Sequence, residues 1–410
     1  MLQHLGGFLV KRLVKVFLIF FAVGFLTHTT GIPVYAEDIR VGVLLPLTGR
    51  LAELGGETAY RSYQMAADEI NEAGGIHGQR LEMIFADTTG FRDVGLAAME
   101  KLINQDKVII VAGGFSSTVT LAATDVAQDL EVPFLISTAS ADRITEAEQE
   151  YVFRLNAPVS EQANTLGSFL KKVTAVKTVA IIHENTVFGE FSSKKFRKRC
   201  ENWGLRVILK EGYDAGVNDL KPLLSKVKPK YPDLIHMITQ TRDGALLMQQ
   251  AKQLDLNPKM FMGVSSGVAL REFGEQAGEA AAFVYSPTIW TPSVPYPGAK
   301  EYHNMFSIKY EETPDYHGAQ AYASMQVIAR ALKGAKSLTP KDVRDALAKT
   351  NQMTVLGPVK FVSYGRKTQQ NRPPTYLVQW LDDGLRTVWP KKVATESYVY
   401  PIPEWRERYY

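Results

Sequence analysis

From Ile39 to Met262 the chain alternates short apolar runs with segments of helical periodicity, and that alternation limits its possible folds more than any other feature. A strand, one helix and a further strand require a crossover, which makes the strands parallel and puts helices on both faces of the sheet. The first run, Ile39-Arg40-Val41-Gly42-Val43-Leu44-Leu45, is β-branched and stops at Pro46 and Thr48-Gly49. A helix is predicted over 57–72, where Tyr63, Ala66, Ala67 and Ile70 share a face and Gly74-Gly75 ends it. Strand 81–85, helix 94–105, strand 108–111, helix 119–130 and strand 132–136 follow. Pro158 breaks the rhythm, which restarts as helix 161–173, strand 178–182, helix 188–203 and strand 206–209. Helix 220–227, strand 234–238, helix 244–254 and strand 260–262 complete a second βα domain of similar size, with no sequence repeat linking it to the first. The proline-rich stretch 287–297 reads as a crossing. Helices 319–332 and 341–348 come next, the latter opened by Thr339-Pro340. Strands 359–362, 376–380 and 385–388 end the chain, the last two joined by the hairpin signal Asp382-Asp383-Gly384.

Residues 1–36 differ from the rest. Lys11, Arg12 and Lys15 precede an apolar run over 16–26, and Val34-Tyr35-Ala36 carries residues a signal peptidase reads. This is a secretory leader with cleavage expected after Ala36 and a periplasmic address. A retained membrane anchor is the rival reading, but the run is far short of the ~20 residues a spanning helix needs. Without the leader, 44 basic residues face 43 acidic ones, a formal net charge of +1. Near neutrality argues against nucleic acid as a partner. The single cysteine, Cys200, excludes an internal disulfide and lies far from any lipid-anchor position.

Several constellations bear on chemistry. Gly263-Val264-Ser265-Ser266-Gly267 matches the nucleophile-elbow pattern, with Asp315 and His303 or His317 as nominal partners, so a serine hydrolase using Ser265 is the sharpest catalytic alternative. Asp315 and His317 stand two residues apart, whereas triad members usually sit on separate supports. The seven histidines form no metal-binding spacing, and neither G-x-G-x-x-G nor a Walker-type lysine is present, so no metal or nucleotide cofactor is expected. The basic run Lys194-Lys195-Phe196-Arg197-Lys198-Arg199 spaces Phe196, Cys200 and Trp203 at helical intervals, which makes it the charged face of an amphipathic helix with Cys200 as a small buried residue.

The segment Ala112-Gly113-Gly114-Phe115-Ser116-Ser117-Thr118 reads as strand, glycine turn and helix start. Three hydroxyls at a helix N-terminus either cap it or help hold an anion such as a carboxylate. In open α/β sheets ligands bind outside the carboxyl ends of strands. Those ends here are Leu54 and its neighbours, Ser116 to Thr118, Ala139-Ser140, Phe188-Gly189, Thr239-Gln240-Thr241 and Ser265-Ser266. Two such domains facing each other form a cleft that closes by a hinge, a binding function that needs no catalytic residue.

These residues resemble the type I periplasmic binding proteins similar to the leucine/isoleucine/valine-binding protein, the receptors of ABC importers. The resemblance rests on Gly42-Val43-Leu44-Leu45-Pro46-Leu47-Thr48-Gly49, on Ala66-Ala67-Asp68-Glu69-Ile70-Asn71 with Gly74-Gly75-Ile76-His77-Gly78, and on the turn from Gly114 to Thr118. Pro133-Phe134-Leu135-Ile136-Ser137, Phe188-Gly189 and Val378-Gln379-Trp380 extend it over nearly all of the mature chain. It implies an α/β fold of two doubly wound parallel-sheet lobes joined by a three-segment hinge, with lobe one at 37–156 plus 287–370 and lobe two at 157–286 plus 371–410. It implies a monomer that binds an amino acid or organic acid and serves a membrane permease and ATPase; a ligand-sensing module of the same fold is the alternative. By the same resemblance Ser117, with Thr118 beside it, meets the ligand carboxylate, backbone groups at Ala139 and Ser140 complete that half-site, and Phe188 covers the ligand from lobe two. Departures fall on the ammonium side: Ser265 or Ser266 stands where an acid is usual, Gln240 and Leu54 where aromatics are, and the cysteine pair of some members is absent. A buried ammonium without a carboxylate costs several kcal/mol, in order of magnitude. The expected ligand is therefore a carboxylate that need not be a plain aliphatic amino acid, an amide being another fit, unless Asp243 or Glu53 folds inward.

Overall fold

The computed structural model describes residues 37–49, 51–381 and 384–408, the side chains of Ala163 and Ser265 excepted; the expected leader with its expected cleavage position and the hairpin residues Asp382 and Asp383 lie outside them. Two seven-stranded sheets organise the described chain. The first contains β1 (Ile39–Leu45), β2 (Leu81–Asp87), β3 (Ile110–Gly113), β4 (Phe134–Ile136) and β5 (Val152–Arg154), all parallel, in the order 2-1-3-4-5. The second repeats this order with β6 (Thr178–Glu184), β7 (Arg206–Tyr213), β8 (Leu234–Ile238), β9 (Met260–Gly263) and β10 (Tyr285–Thr288). A small antiparallel pair, β11 (Asn351–Thr354) with β12 (Gly357–Lys360), stands apart. The chain then returns to the first sheet as β13 (Val362–Tyr364) and β14 (Lys367–Gln370), and to the second as β15 (Tyr376–Leu381) and β16 (Gly384–Trp389).

Three segments therefore pass between the sheets: after Arg154, after Thr288 and after Gln370. Pro287 and Thr288, expected in the first lobe, belong to the second sheet. Proline is tolerated there because β10 meets β9 only at Tyr285↔Met262 and pairs onward with β15 alone, so no donor is needed on the other side. A helix not expected from the sequence runs over Ala299–Tyr310 and buries Ala299, Tyr302 and Phe306 at helical spacing.

Each sheet is covered on both faces. In the first, Tyr63, Tyr302, Phe306 and Leu332 fill one side, while Met99, Leu102, Ala123 and Phe134 fill the other. The helix Tyr316–Gly334 is buried around almost its whole girth, which ties the end of the second crossing firmly to lobe one. In the second lobe Phe169, Phe261 and Phe273 are fully enclosed. The amphipathic reading of helix Val187–Asn202 agrees with its packing: Phe196 and Cys200 are buried, Trp203 half-buried, and Lys194, Arg197 and Lys198 face solvent. Burial pushes the Cys200 thiol up to about 12, which leaves it inert at neutral pH.

Candidate ligand-binding cleft

The carboxyl ends of β1, β3 and β4 meet at the glycine turn. Gly113 adopts φ +110°, and a Cβ there would lie 2.3 Å from the Leu44 carbonyl oxygen, so only glycine lets the turn fold back on β1. The Gly114 N–H donates to that same carbonyl at 2.9 Å. Ser116 occupies the N-cap of helix Ser117–Asp129 without a side-chain capping bond. The Ser117 Oγ instead accepts the Ala141 N–H at 3.3 Å. A hydroxyl that accepts there still has its own proton to donate.

The next loop is fixed from behind. The Ala141 carbonyl accepts from the Arg154 guanidinium at 2.6 Å, and Arg154, fully buried, also donates to Gln370 Oε1 at 2.6 Å and Thr145 Oγ1 at 3.0 Å. Burial pulls that guanidinium down to about 10, still protonated at neutral pH. Beside it Asp142 forms an ion pair with Lys367 at 2.8 Å. Burial opposes ionisation of Asp142, but Lys367 and the Ser160 N–H outweigh it and hold the carboxyl below its usual range.

Lobe two supplies the opposite wall from the ends of β6, β8 and β9: Glu184, Thr186, Phe188, Gln240, Val264 and Ser266. Glu184, 2 % exposed, accepts from Thr186 Oγ1 at 2.9 Å and Gln240 Nε2 at 3.4 Å. Thr186 in turn caps its helix by accepting the Gly189 N–H. The hinge side contributes Asn156, Ile289, Tyr316 and His317. His317 Nδ1 lies 3.1 Å from Asp315 Oδ2, and its ring packs against Phe115 and Tyr316 at centroid distances of 4.8 and 4.0 Å. Together these walls enclose about 360 Å³, room for a small solute.

Of the residues singled out from sequence, Ser117, Thr118, Ser140, Phe188 and Gln240 converge on this cavity. Leu54 does not: it is 7 % exposed, beneath a turn in which Gly55 at φ +124° packs against the His317 ring, and Leu51 faces the cavity in its place. Ala139 is buried and its N–H is committed to the Gly114 carbonyl at 2.8 Å, so it is not a free backbone donor. Ser265 opens a one-turn helix at Ser265–Val268; its side chain lies outside the described residues. Neither Asp243 nor Glu53 reaches the cavity. Asp243 is buried, accepting from the Gly216 N–H at 2.9 Å and pairing with Arg242, and Glu53 points to solvent. The cavity's carboxylate is Glu184, two residues past the predicted end of its strand and thus within reach of the strand-end rule. Asn156 and His317 carried no such signal, because crossing segments and the start of helix Tyr316–Gly334 approach the cleft only through tertiary packing. His317 does pair with Asp315, but Asp315 also caps that helix by accepting the Gly318 N–H at 3.0 Å, and His303 is half-buried beside Asn304, away from the cavity lining.

Comparison with known proteins places this geometry. The periplasmic binding protein family matches residues 38–385. A Leu/Ile/Val-binding protein homolog of Brucella suis is 28% identical over 386 residues, covering 89% of this chain and 95% of its own. The branched-chain amino acid transporter substrate-binding protein of Streptococcus pneumoniae, solved in complex with isoleucine, superposes with TM-score 0.77 at 26% identity over 86% of this chain and 100% of its own. An ABC transporter solute-binding protein of R. palustris, solved with benzoate, shares the fold at TM-score 0.76 and 18% identity, covering 85% of this chain and 95% of its own.

Proposed function

The chain belongs to the periplasmic binding protein family, in its leucine/isoleucine/valine-binding-protein-like type I branch, and from that premise we propose that it is an exported receptor. It captures a small carboxylate-bearing ligand between its lobes by hinge closure and hands it to the permease and ATPase of an ABC importer. One arrangement carries the reading: the side chains of Ser117, Thr118 and Ser140 gather at a helix N-terminus on one lobe, opposite an aromatic and acidic wall on the other. Isoleucine and benzoate, bound by two proteins of this fold, share only their carboxylate. Phe115, Phe188 and Tyr316 suit a branched or aromatic body, and Glu184 offers a buried carboxylate toward an ammonium, hydroxyl or amide donor. The ligand class is thus a branched-chain or other amino acid, or a related organic acid.

Calorimetric titration of protein starting at Glu37 with leucine, isoleucine, benzoate and hydroxybenzoates, each beside its amine or alcohol counterpart without the carboxylate, tests this. At least one carboxylate is expected to bind, with its counterpart weaker by roughly tenfold or more. Equal binding of the two, or none by any carboxylate, removes the reading.

A further inference from the structure

Among the described residues lining the cleft, two bear groups that can be cationic, Arg92 and His317. Arg92 is exposed and paired with Asp93 at 3.0 Å, so solvent and its neighbour screen it. His317 is 1 % exposed, and its surroundings are built around the imidazole. Asp315 holds Nδ1 at 3.1 Å. Phe115, which leads into the hydroxyl turn, and Tyr316 flank the ring. Gly55 comes so close that a Cβ would lie 2.2 Å from Nδ1. Those contacts engage the Nδ1 side and pack against the ring, and His317 lines the cavity, so among the described residues Nε2 is the ring nitrogen without an assigned contact there. A carboxylate keeping the proton on Nδ1 fixes the role of Nε2: acceptor in the neutral ring, donor in the imidazolium.

We propose that His317 is the countercharge for the ligand's carboxylate and that it takes up a proton on Nε2 as the ligand enters, with Asp315 as the positioning residue that makes the imidazolium tolerable in a buried wall. This rests on the reading of the cleft as a carboxylate site. A carboxylate drawn out of water onto hydroxyls and one helix N-terminus is better compensated with a full positive charge beside it, and it in turn favours that charge. The other titratable groups that face this corner are Tyr316 on the same helix, Tyr302 beside Gly318, Glu184 across the cavity, Arg92 at its rim, and Glu272 of lobe two, while Glu53, in the turn that carries Gly55, points to solvent. Burial and the charge of Asp315 raise the Glu272 carboxyl, which places that group within electrostatic reach of the pair. The proton comes from solvent and returns there on release, so the balance needs no further reactant.

The test is calorimetry of the tightest-binding carboxylate among leucine, isoleucine, benzoate and the hydroxybenzoates, repeated in phosphate and Tris, whose ionisation heats differ. Uptake approaching one proton per ligand is expected above neutral pH, with Kd rising by up to tenfold per pH unit there. His317→Gln keeps a neutral donor near Nε2; it is expected to abolish the uptake and weaken binding roughly tenfold or more while the far-ultraviolet spectrum stays native. Asp315→Asn keeps the helix cap and is expected to shift the pH profile of Kd to lower pH. Binding with no proton uptake, or uptake that persists in His317→Gln, overturns the proposal. Binding by no carboxylate at all overturns instead the reading on which it rests.

Discussion

Because the Ser117 Oγ accepts the Ala141 N–H, its proton is the one it can give to a ligand. Ser117→Ala is therefore expected to weaken carboxylate binding by roughly 1.5–3 kcal/mol, the range for a hydrogen bond to a charged group, as read by calorimetry. Unchanged affinity with a lower melting temperature would reduce Ser117 to a prop for the Ala141 loop. Gly55 makes a second claim at this scale. Its φ of +124° and the 2.2 Å approach to His317 leave no place for a Cβ, whereas Gly74, at φ +96°, has open space around it. Gly55→Ala should cost more stability than Gly74→Ala in urea denaturation, by more than the ~1 kcal/mol of backbone strain the two share, and should also weaken ligand binding. Equal losses would mean that the loop gives way without moving His317. Serine 117 was legible from its place after a strand and a glycine pair. Gly55 was not, because its partner lies more than 250 positions on.

At the scale of elements, β14 decides how rigid the hydroxyl half-site is. This strand returns from the far end of the chain to lie beside β5, bringing Lys367 to Asp142 at 2.8 Å and Gln370 to Arg154 at 2.6 Å. Asp142 is held below the ordinary carboxylate range, so its contribution is complete above the unfolded value of about 3.9 and disappears as pH falls through the lower folded value. Asp142→Asn should thus be less stable than the parent at pH 7, by about 3–5 kcal/mol as for a broken buried pair, and the gap should narrow below about pH 4. Denaturant titrations at pH 7 and pH 3 measure both numbers; a gap constant in pH would show that the loss is one of packing. The strand carrying this frame, Lys367-Thr368-Gln369-Gln370, has no apolar residue, so pattern reading passes over it. Helix Val187–Asn202, by contrast, announces itself through Phe196, Cys200 and Trp203 despite its basic surface.

Over the whole molecule, three crossings join two sheets of the same strand order, and the cleft lies where their carboxyl ends face each other. A ligand that touches both walls favours the arrangement that brings them together. Saturating ligand is expected to reduce the radius of gyration in small-angle scattering, and at 100 times Kd to add about 2.7 kcal/mol to stability. Added stability with no change in scattering would mean a site that is already closed. The alternation of strand and helix, the strand ends and their hydroxyls follow from local spacing, so the sequence by itself determined the fold class, the two-lobe plan and Ser117, Thr118, Ser140, Phe188 and Gln240 as cleft residues. That Leu51 replaces Leu54, and that His317 stands in the cleft wall, were decided by the tertiary structure alone. Each depends on which way a loop or crossing turns once the lobes are packed, and residues distant in sequence set that direction through contacts with no local period.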